Sequence, residues 1–292
     1  MFRRDYLKWW LRPGFLRPWG RRSDTLFAGP WLGEFGWELM SWQGFVRKLS
    51  RNYSKTMVFC PQGREALYAD FAAEIISHSF RGTAECDGVR EQPVWSEALE
   101  AASARAPEGA DHLLPLGFQP RARQEFIAFG KPSAAQQGPD VLFHPRGRNF
   151  GTARNWERAK WEELLAGLSA AGYRLGCIGV RSATLDPAGD FADLRDLPLE
   201  KTMDHIASAR LVIGPSSGPM HLASLCRTPH LVWTDAGRYM RGHTNRFKYE
   251  SLWNPFATPV RVLDTYGFDP PVEAVLREAR ALLSTDRTLE AA

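Results

Sequence analysis

Long apolar runs are absent from this chain: no stretch approaches the ~18 consecutive apolar residues that would suggest a membrane span. Cysteine is scarce. Cys60, Cys86, Cys177 and Cys226 are scattered and form no Cys-x-x-Cys pair, which points to buried, reduced thiols in a cytoplasmic protein. No internal repeat stands out, and no uninterrupted apolar segment near the start has the form of a secretion signal. Acidic residues are nearly missing from residues 1–22, where Asp5 stands alone against Arg3, Arg4, Lys8, Arg12, Arg17, Arg21 and Arg22. This segment exceeds the net charge of +4 by itself, so the body is slightly acidic and no nucleic-acid partner is expected for it.

What is present is globular. The chain has 292 residues, 44% hydrophobic and 24% charged, which is enough for two ordinary domains. The basic segment also carries Phe2, Tyr6, Trp9, Trp10, Phe15 and Trp19. Basic residues interleaved with large aromatics suit the interface of an anionic membrane, and packing onto the protein's own surface is the alternative. The expected location is the cytoplasm, with residues 1–22 as a peripheral contact on the inner membrane face.

Beyond this tail, the pattern predicts strands at Thr25–Ala28 and Thr56–Cys60 and helices at 37–49 and 65–78. Four prolines break up 81–120, although 96–105 reads as helical. Residues 131–139, rich in Pro, Gly and small polar residues, form the best linker. The second half alternates strand and helix: strands at 141–144, 173–180, 211–213, 230–233 and 260–263, with helices at 156–171, 201–209, 220–226 and 272–283. Such alternation predicts parallel sheets covered on both faces, with ligands outside the carboxyl ends of the strands. The expected organisation is a tail (1–22), a first domain (23–137), a second domain (138–270) and a C-terminal helix and tail (271–292).

The most informative stretch is Leu211-Val-Ile-Gly-Pro-Ser-Ser-Gly-Pro-Met-His-Leu-Ala223. It reads as a buried strand that stops at Gly214-Pro215 and turns through Ser-Ser-Gly into a helix with Pro219 in its first turn. The free amides of that turn and the helix dipole form an anion site. Ser216, Ser217 and Gly218 bring hydroxyls and bare backbone to a phosphate, and His221 adds a hydrogen bond or a positive charge.

These residues, followed by Thr228-Pro-His-Leu-Val232, resemble a motif of the heptosyltransferase-like (family 9) glycosyltransferases. His144-Pro-Arg-Gly-Arg148, Arg154-Asn-Trp156 and Trp161-Glu-Glu-Leu164 are similar to that family's donor-domain opening. The resemblance implies a GT-B-like α/β fold, two Rossmann-like domains facing a cleft. The first would bind the acceptor, a glycan or lipid-linked one, and the second a nucleotide-diphosphate sugar. It implies no metal and no cofactor beyond that co-substrate.

Glycosyl transfer then builds negative charge on the leaving diphosphate, which helix amides and fixed cations must meet. Ser216, Ser217, Gly218 and His221 supply one side, and Arg146, Arg148 and Arg154 the other, through guanidinium forks that match phosphate oxygens. Asp235, Arg238, Arg241 and His243, with Arg246, form a cationic loop at the same sheet edge, as a further substrate site or a basic surface loop. In the first domain the family's Gly-Asp, with its catalytic base, corresponds to Gly33-Glu-Phe-Gly-Trp-Glu-Leu-Met40. Aligned on Gly36, the Asp position holds Trp37, so Glu34 and Glu38 are both candidate bases. The second motif's Asp is likewise replaced, by Ser216. These departures leave a non-catalytic nucleotide-sugar-binding protein as the alternative. A GT-B-like epimerase is a further one. A hydrolase on Ser217 and His221 is disfavoured, because no Gly-x-Ser-x-Gly elbow is present.

Overall fold

A computed structural model describes residues 23–80, 93–115, 119–132, 138–238 and 242–289, with side chains to 284. The chain divides into two compact units, Met1–Phe126 and Ile127–Ala292. The division precedes the Pro- and Gly-rich 131–139 segment.

Unit 1 is built on β1 (Thr25–Ala28), helix α1 (Phe35–Trp37, a π-helical turn Glu38–Trp42, then Gln43–Ser50), β2 (Lys55–Pro61), β3 (Glu74–His78), α2 (Pro93–Arg105) and β4 (Asp111–Leu113). Its four strands are all parallel, in the order β3-β2-β1-β4. Leu26, Phe27, Val58 and Phe59 are fully or almost fully buried. Here the sequence expectation needs correction. The helix predicted for 65–78 is a 3-10 turn at Glu65–Leu67 followed by β3. Ile75 and Ile76 lie in register with Val58 and Phe59, so pairing along β2 overrides the local helical spacing. Strand β4, unread in the sequence, completes the sheet on the other side of β1.

Unit 2 contains β5 (Val141–Phe143), α3 (Arg158–Ala170), β6 (Leu175–Cys177), β7 (Ala192–Asp193), α4 (Leu199–Ser208), β8 (Leu211–Pro215), α5 (Gly218–Leu225) and β9 (His230–Trp233). Then follow α6 (Asn245–Phe247, continued by a π-helical turn Lys248–Leu252), β10 (Val260–Leu263) and α7 (Val272–Leu289). Its parallel sheet runs β10-β9-β8-β5-β6-β7. Counted from β5, this is the 3-2-1-4-5-6 order of a Rossmann sheet. The order reverses between β5 and β8, and that switch point is where such sheets open a crevice. Unit 1 has the matching reversal between β1 and β4.

The unit 2 core is anchored by Trp156, Trp161 and Trp233, with ring centroids 5.0 to 5.3 Å apart. Trp156 Nε1 donates to the Pro270 carbonyl (3.1 Å), tying the start of α3 to the approach of α7. Helix α7 is part of this core through Val272, Val275, Ala279 and Leu283. A Cβ on Gly167 would come within 3.0 Å of Leu276, so α3 and α7 lie close together there.

Candidate donor and catalytic sites

At the end of β8, Ser216 is almost buried and its amide donates to the Trp233 carbonyl (2.9 Å). Ser217 is the N-cap of α5 in extended conformation, yet its hydroxyl makes no capping hydrogen bond. Its carbonyl accepts from the amides of Met220 (3.1 Å) and His221 (3.3 Å). No acidic residue lies in the first turn, so nothing internal opposes the dipole there.

His221 is buried, 6% exposed. Its ring lies flat on Tyr249 (centroids 4.5 Å, 14° between planes) and meets Trp253 edge-on (4.8 Å). Burial, and then the nearby Lys248 charge, push its pKa down to about 3. The imidazole is therefore neutral, and of the two contributions expected from the sequence only the hydrogen bond remains. The Tyr249 hydroxyl lies 3.2 Å from Ser216 Oγ and 3.3 Å from His221 Nε2. Burial holds the Tyr249 pKa above its ordinary value, while the positive charge of Arg154 acts the other way. Tyr249 and Lys248 both come from the π-helical turn after α6, and no sequence motif marked them.

The loop after β5 separates the three arginines. Arg146 is 2% exposed and lies inside the loop. Its guanidinium donates to the carbonyls of Gly151 (2.9 Å) and Phe150 (2.6 Å) and to Asn155 Oδ1. Asn155 holds the other side, its Nδ2 donating to the Arg148 carbonyl (2.8 Å) and its Oδ1 accepting from the Arg148 amide (3.2 Å). Arg146 is thus taken up by the loop rather than offered to a ligand. Arg154 closes a short 3-10 turn and is half-buried, and its charge reaches Tyr249. Among the described residues its guanidinium has no hydrogen-bonded or ion-paired partner. Arg148 is half-buried at the same loop.

In the loop after β9, Asp235 accepts from the Gly237 amide (3.3 Å) in an Asx turn. Arg238 is exposed and donates to the Gly242 carbonyl (3.2 Å). His243 stacks on Phe247 (4.8 Å). Arg246 is bound to Asp264 (2.5 Å), Glu250 (3.0 Å) and the Val262 carbonyl (2.7 Å), which fixes it to the end of β10. Arg241 and the basic segment 1–22 lie outside the described residues.

In unit 1, Gly29 ends β1 at φ +127°, and a Cβ there would run into the Phe59 carbonyl. The chain then reaches Glu34, the partly exposed N-cap of α1, whose carbonyl accepts from the Glu38 amide (3.1 Å). The two candidate bases differ sharply. Glu38 opens the π-helical turn and is 1% exposed. It accepts from the Tyr68 hydroxyl (2.7 Å), with Arg64 at 3.7 Å. Burial raises its pKa to about 7 against the opposing pull of Arg64. Glu38 is therefore closed to an acceptor in this conformation, whereas Glu34 is partly exposed where the loop after β1 enters α1. The sequence did not reveal Arg64, which lies 3.8 Å over the Phe35 ring.

Residues 114–232 match the model of glycosyltransferase family 9 (heptosyltransferase). The matched region contains β5, α3, β8, α5 and the Ser216–His221 turn. The chain resembles the family 9 glycosyltransferases in motif and in fold. Among solved structures, it is similar to an ADP-heptose lipopolysaccharide heptosyltransferase II from E. coli at 16% identity. The match covers 90% of this chain and 99% of that one, with a TM-score of 0.56. A family 9 glycosyltransferase from Veillonella parvula is 11% identical, with 89% and 97% covered and a TM-score of 0.58. No curated protein matches by sequence. The family match supports a glycosyltransferase enzyme, and the shared fold gives two Rossmann-like halves of GT-B type. Among the described residues, no helix is long and apolar enough to cross a membrane, and no cluster of three His, Cys, Asp or Glu is placed to hold a metal.

Proposed function

We propose that the protein transfers a sugar from a nucleoside-diphosphate donor to a glycan or lipid-linked acceptor, without a metal. One observation carries this: at the Rossmann switch point, α5 opens with the bare backbone of Gly218, a Ser217 hydroxyl that caps nothing, and no acid in its first turn. The donor's diphosphate would lie on this turn, with Arg154 as the cation and the helix dipole behind it. Charge developing on the leaving oxygen is met there as the glycosidic bond breaks.

Glu34 is the base in this reading. Its carboxylate would take the proton of the acceptor hydroxyl as that oxygen attacks the anomeric carbon, and the diphosphate would leave with the bonding electron pair. The cationic loop around Arg238 and His243 would hold further anionic groups of a substrate. Residues 1–22 would bring the enzyme to an anionic membrane surface carrying a lipid-linked acceptor.

The direct test is donor turnover to free nucleoside diphosphate, measured with ADP-, UDP- and GDP-linked sugars and with EDTA present. An ADP-linked heptose comes first, because the E. coli relative is named for that donor. The expected result is turnover of one donor class, unaffected by EDTA. Binding without turnover of any donor would leave a nucleotide-sugar-binding protein, and neither binding nor turnover would overturn the proposal.

A further inference from the structure

Among the described residues, two polar side-chain atoms at the start of α5 have no partner. Ser217 Oγ and His221 Nδ1 are both buried and make no hydrogen bond. Ser217 is the N-cap and His221 the fourth helical residue, so both stand at the N-terminal end of α5. An unpaired buried polar atom is costly, so a pair of them at an anion-binding helix end marks a place prepared for a ligand.

The other ring nitrogen is engaged. Nε2 faces the Tyr249 hydroxyl at 3.3 Å, and that hydroxyl also faces Ser216 Oγ at 3.2 Å. One phenolic proton can serve only one of these neighbours. If Tyr249 donates to Nε2, the single imidazole proton must sit on Nδ1. If Tyr249 donates to Ser216, the proton sits on Nε2 and Nδ1 is a bare acceptor. A bare acceptor would repel a diphosphate oxygen, whereas Nδ1–H would join the Ser217 O–H in holding it. The imidazole cannot evade the choice by carrying both protons, because burial and Lys248 keep it neutral. Stacking against Tyr249 and edge contact with Trp253 also fix the ring plane.

We propose that Tyr249 is a positioning residue of the donor site: its hydroxyl donates to His221 Nε2 and fixes the Nδ1–H tautomer. Nδ1–H and the Ser217 hydroxyl then form a paired donor for one oxygen of the donor's diphosphate. The Ser216 hydroxyl completes the chain by donating to the Tyr249 oxygen. This inference rests on the donor-site reading above and assigns a residue outside the motif on which that reading was built.

The experiment uses the full chain labelled with [15N]histidine. Long-range 1H–15N spectra report which nitrogen of His221 is protonated, with and without ADP, UDP or GDP, while calorimetry gives affinities. His221 is assigned from the signal lost in His221→Asn. The expected bound wild type shows the Nδ1–H tautomer. Tyr249→Phe, which keeps the stacked ring, should shift it to Nε2–H and weaken diphosphate binding about tenfold, the size of one hydrogen bond to a charged group. His221→Asn places an amide N–H near the Nδ1 position. Whatever affinity that variant keeps, adding Tyr249→Phe to it should change it little.

An Nε2–H tautomer in the bound wild type would overturn the proposal, as would a tautomer that ignores Tyr249→Phe. So would an equal loss of affinity from Tyr249→Phe in the His221→Asn background, which would mark a merely structural tyrosine. If wild type binds none of the three diphosphates, the donor-site reading fails first and this inference falls with it. If wild type binds but the tautomer is independent of Tyr249, only this inference fails.

Discussion

The Tyr68 hydroxyl donates a 2.7 Å hydrogen bond to the carboxylate of Glu38, and both residues are withdrawn from solvent. The hydrogen bond and Arg64 favour the charged carboxylate, but burial outweighs them and lifts its pKa from 4.5 to about 7. The folded state therefore holds this proton more tightly than the unfolded chain does. Stability from this group is present below pH 4.5 and is lost as pH rises through 7, by about 3 kcal/mol in total. Glu38→Gln keeps an oxygen for Tyr68 and removes the titration. Thermal unfolding should show it more stable than wild type at pH 8 and little changed at pH 5. A stability difference that does not depend on pH would contradict this account of the site.

Glu34 and Glu38 should also separate in kinetics. Loss of a general base costs about 10²- to 10⁴-fold in rate. Glu34→Gln is expected to lower kcat in that range without weakening nucleoside-diphosphate binding, because the substitution lies in the other unit from α5. Glu38→Gln should retain most of its kcat. The reverse pattern would place the chemistry on the buried carboxylate.

Arg146 and Arg154 look alike in the sequence and should respond differently. Arg154→Gln should weaken diphosphate binding roughly 10- to 100-fold, as expected for loss of a hydrogen bond to a charged group, with little change in melting temperature. Arg146→Gln should lower stability by about 1–3 kcal/mol, since it leaves the Gly151 and Phe150 carbonyls without their buried donor. Calorimetry and thermal melts on the same two proteins would distinguish a ligand contact from a loop clamp.

Unit 2 should be sensitive to acid. His144, His221 and His230 are buried neutral, and burial lowers their pKa values from 6.5 to about 4, 3 and 4. Between pH 6.5 and 4 the unfolded chain binds protons that the fold excludes. Stability is thus full above pH 6.5 and falls as pH drops, by up to about 4 kcal/mol per pH unit near pH 5 if all three take part. Urea titrations at pH 5 and pH 7 would measure this. Equal midpoints would show that these rings are not held neutral.

The Ser216–His221 turn was legible in the sequence because everything it needs is local: a buried strand, small residues and Pro219 in the first helical turn. Its partners were not. Tyr249 arrives from a helical turn 28 residues beyond His221, and no periodicity in 245–252 signals that its hydroxyl will meet that ring. The fates of the loop arginines were equally hidden. Arg146 turns inward because Gly151, at φ +60°, and Asn155 fold the loop around it, a tertiary event that charge pattern does not encode. In unit 1 the spacing of 65–78 suggested a helix, and only pairing with β2 made Glu74–His78 a strand. Glu34 and Glu38 were indistinguishable as sequence and are distinguished by burial.

The π-helical turn at Glu38–Trp42 means that α1 contains one residue more than an ordinary helix would need between its two ends. A helix of this kind is a single deletion away from regular geometry. Removing one residue from 38–42 would rotate the start of α1 by about 100° relative to Gln43–Ser50. The length of α1 would hardly alter, but Glu38 would be swung off Tyr68 and Glu34 rotated with it. Spacing within these five residues, and not only their identity, therefore determines which carboxylate is sealed in and which is presented.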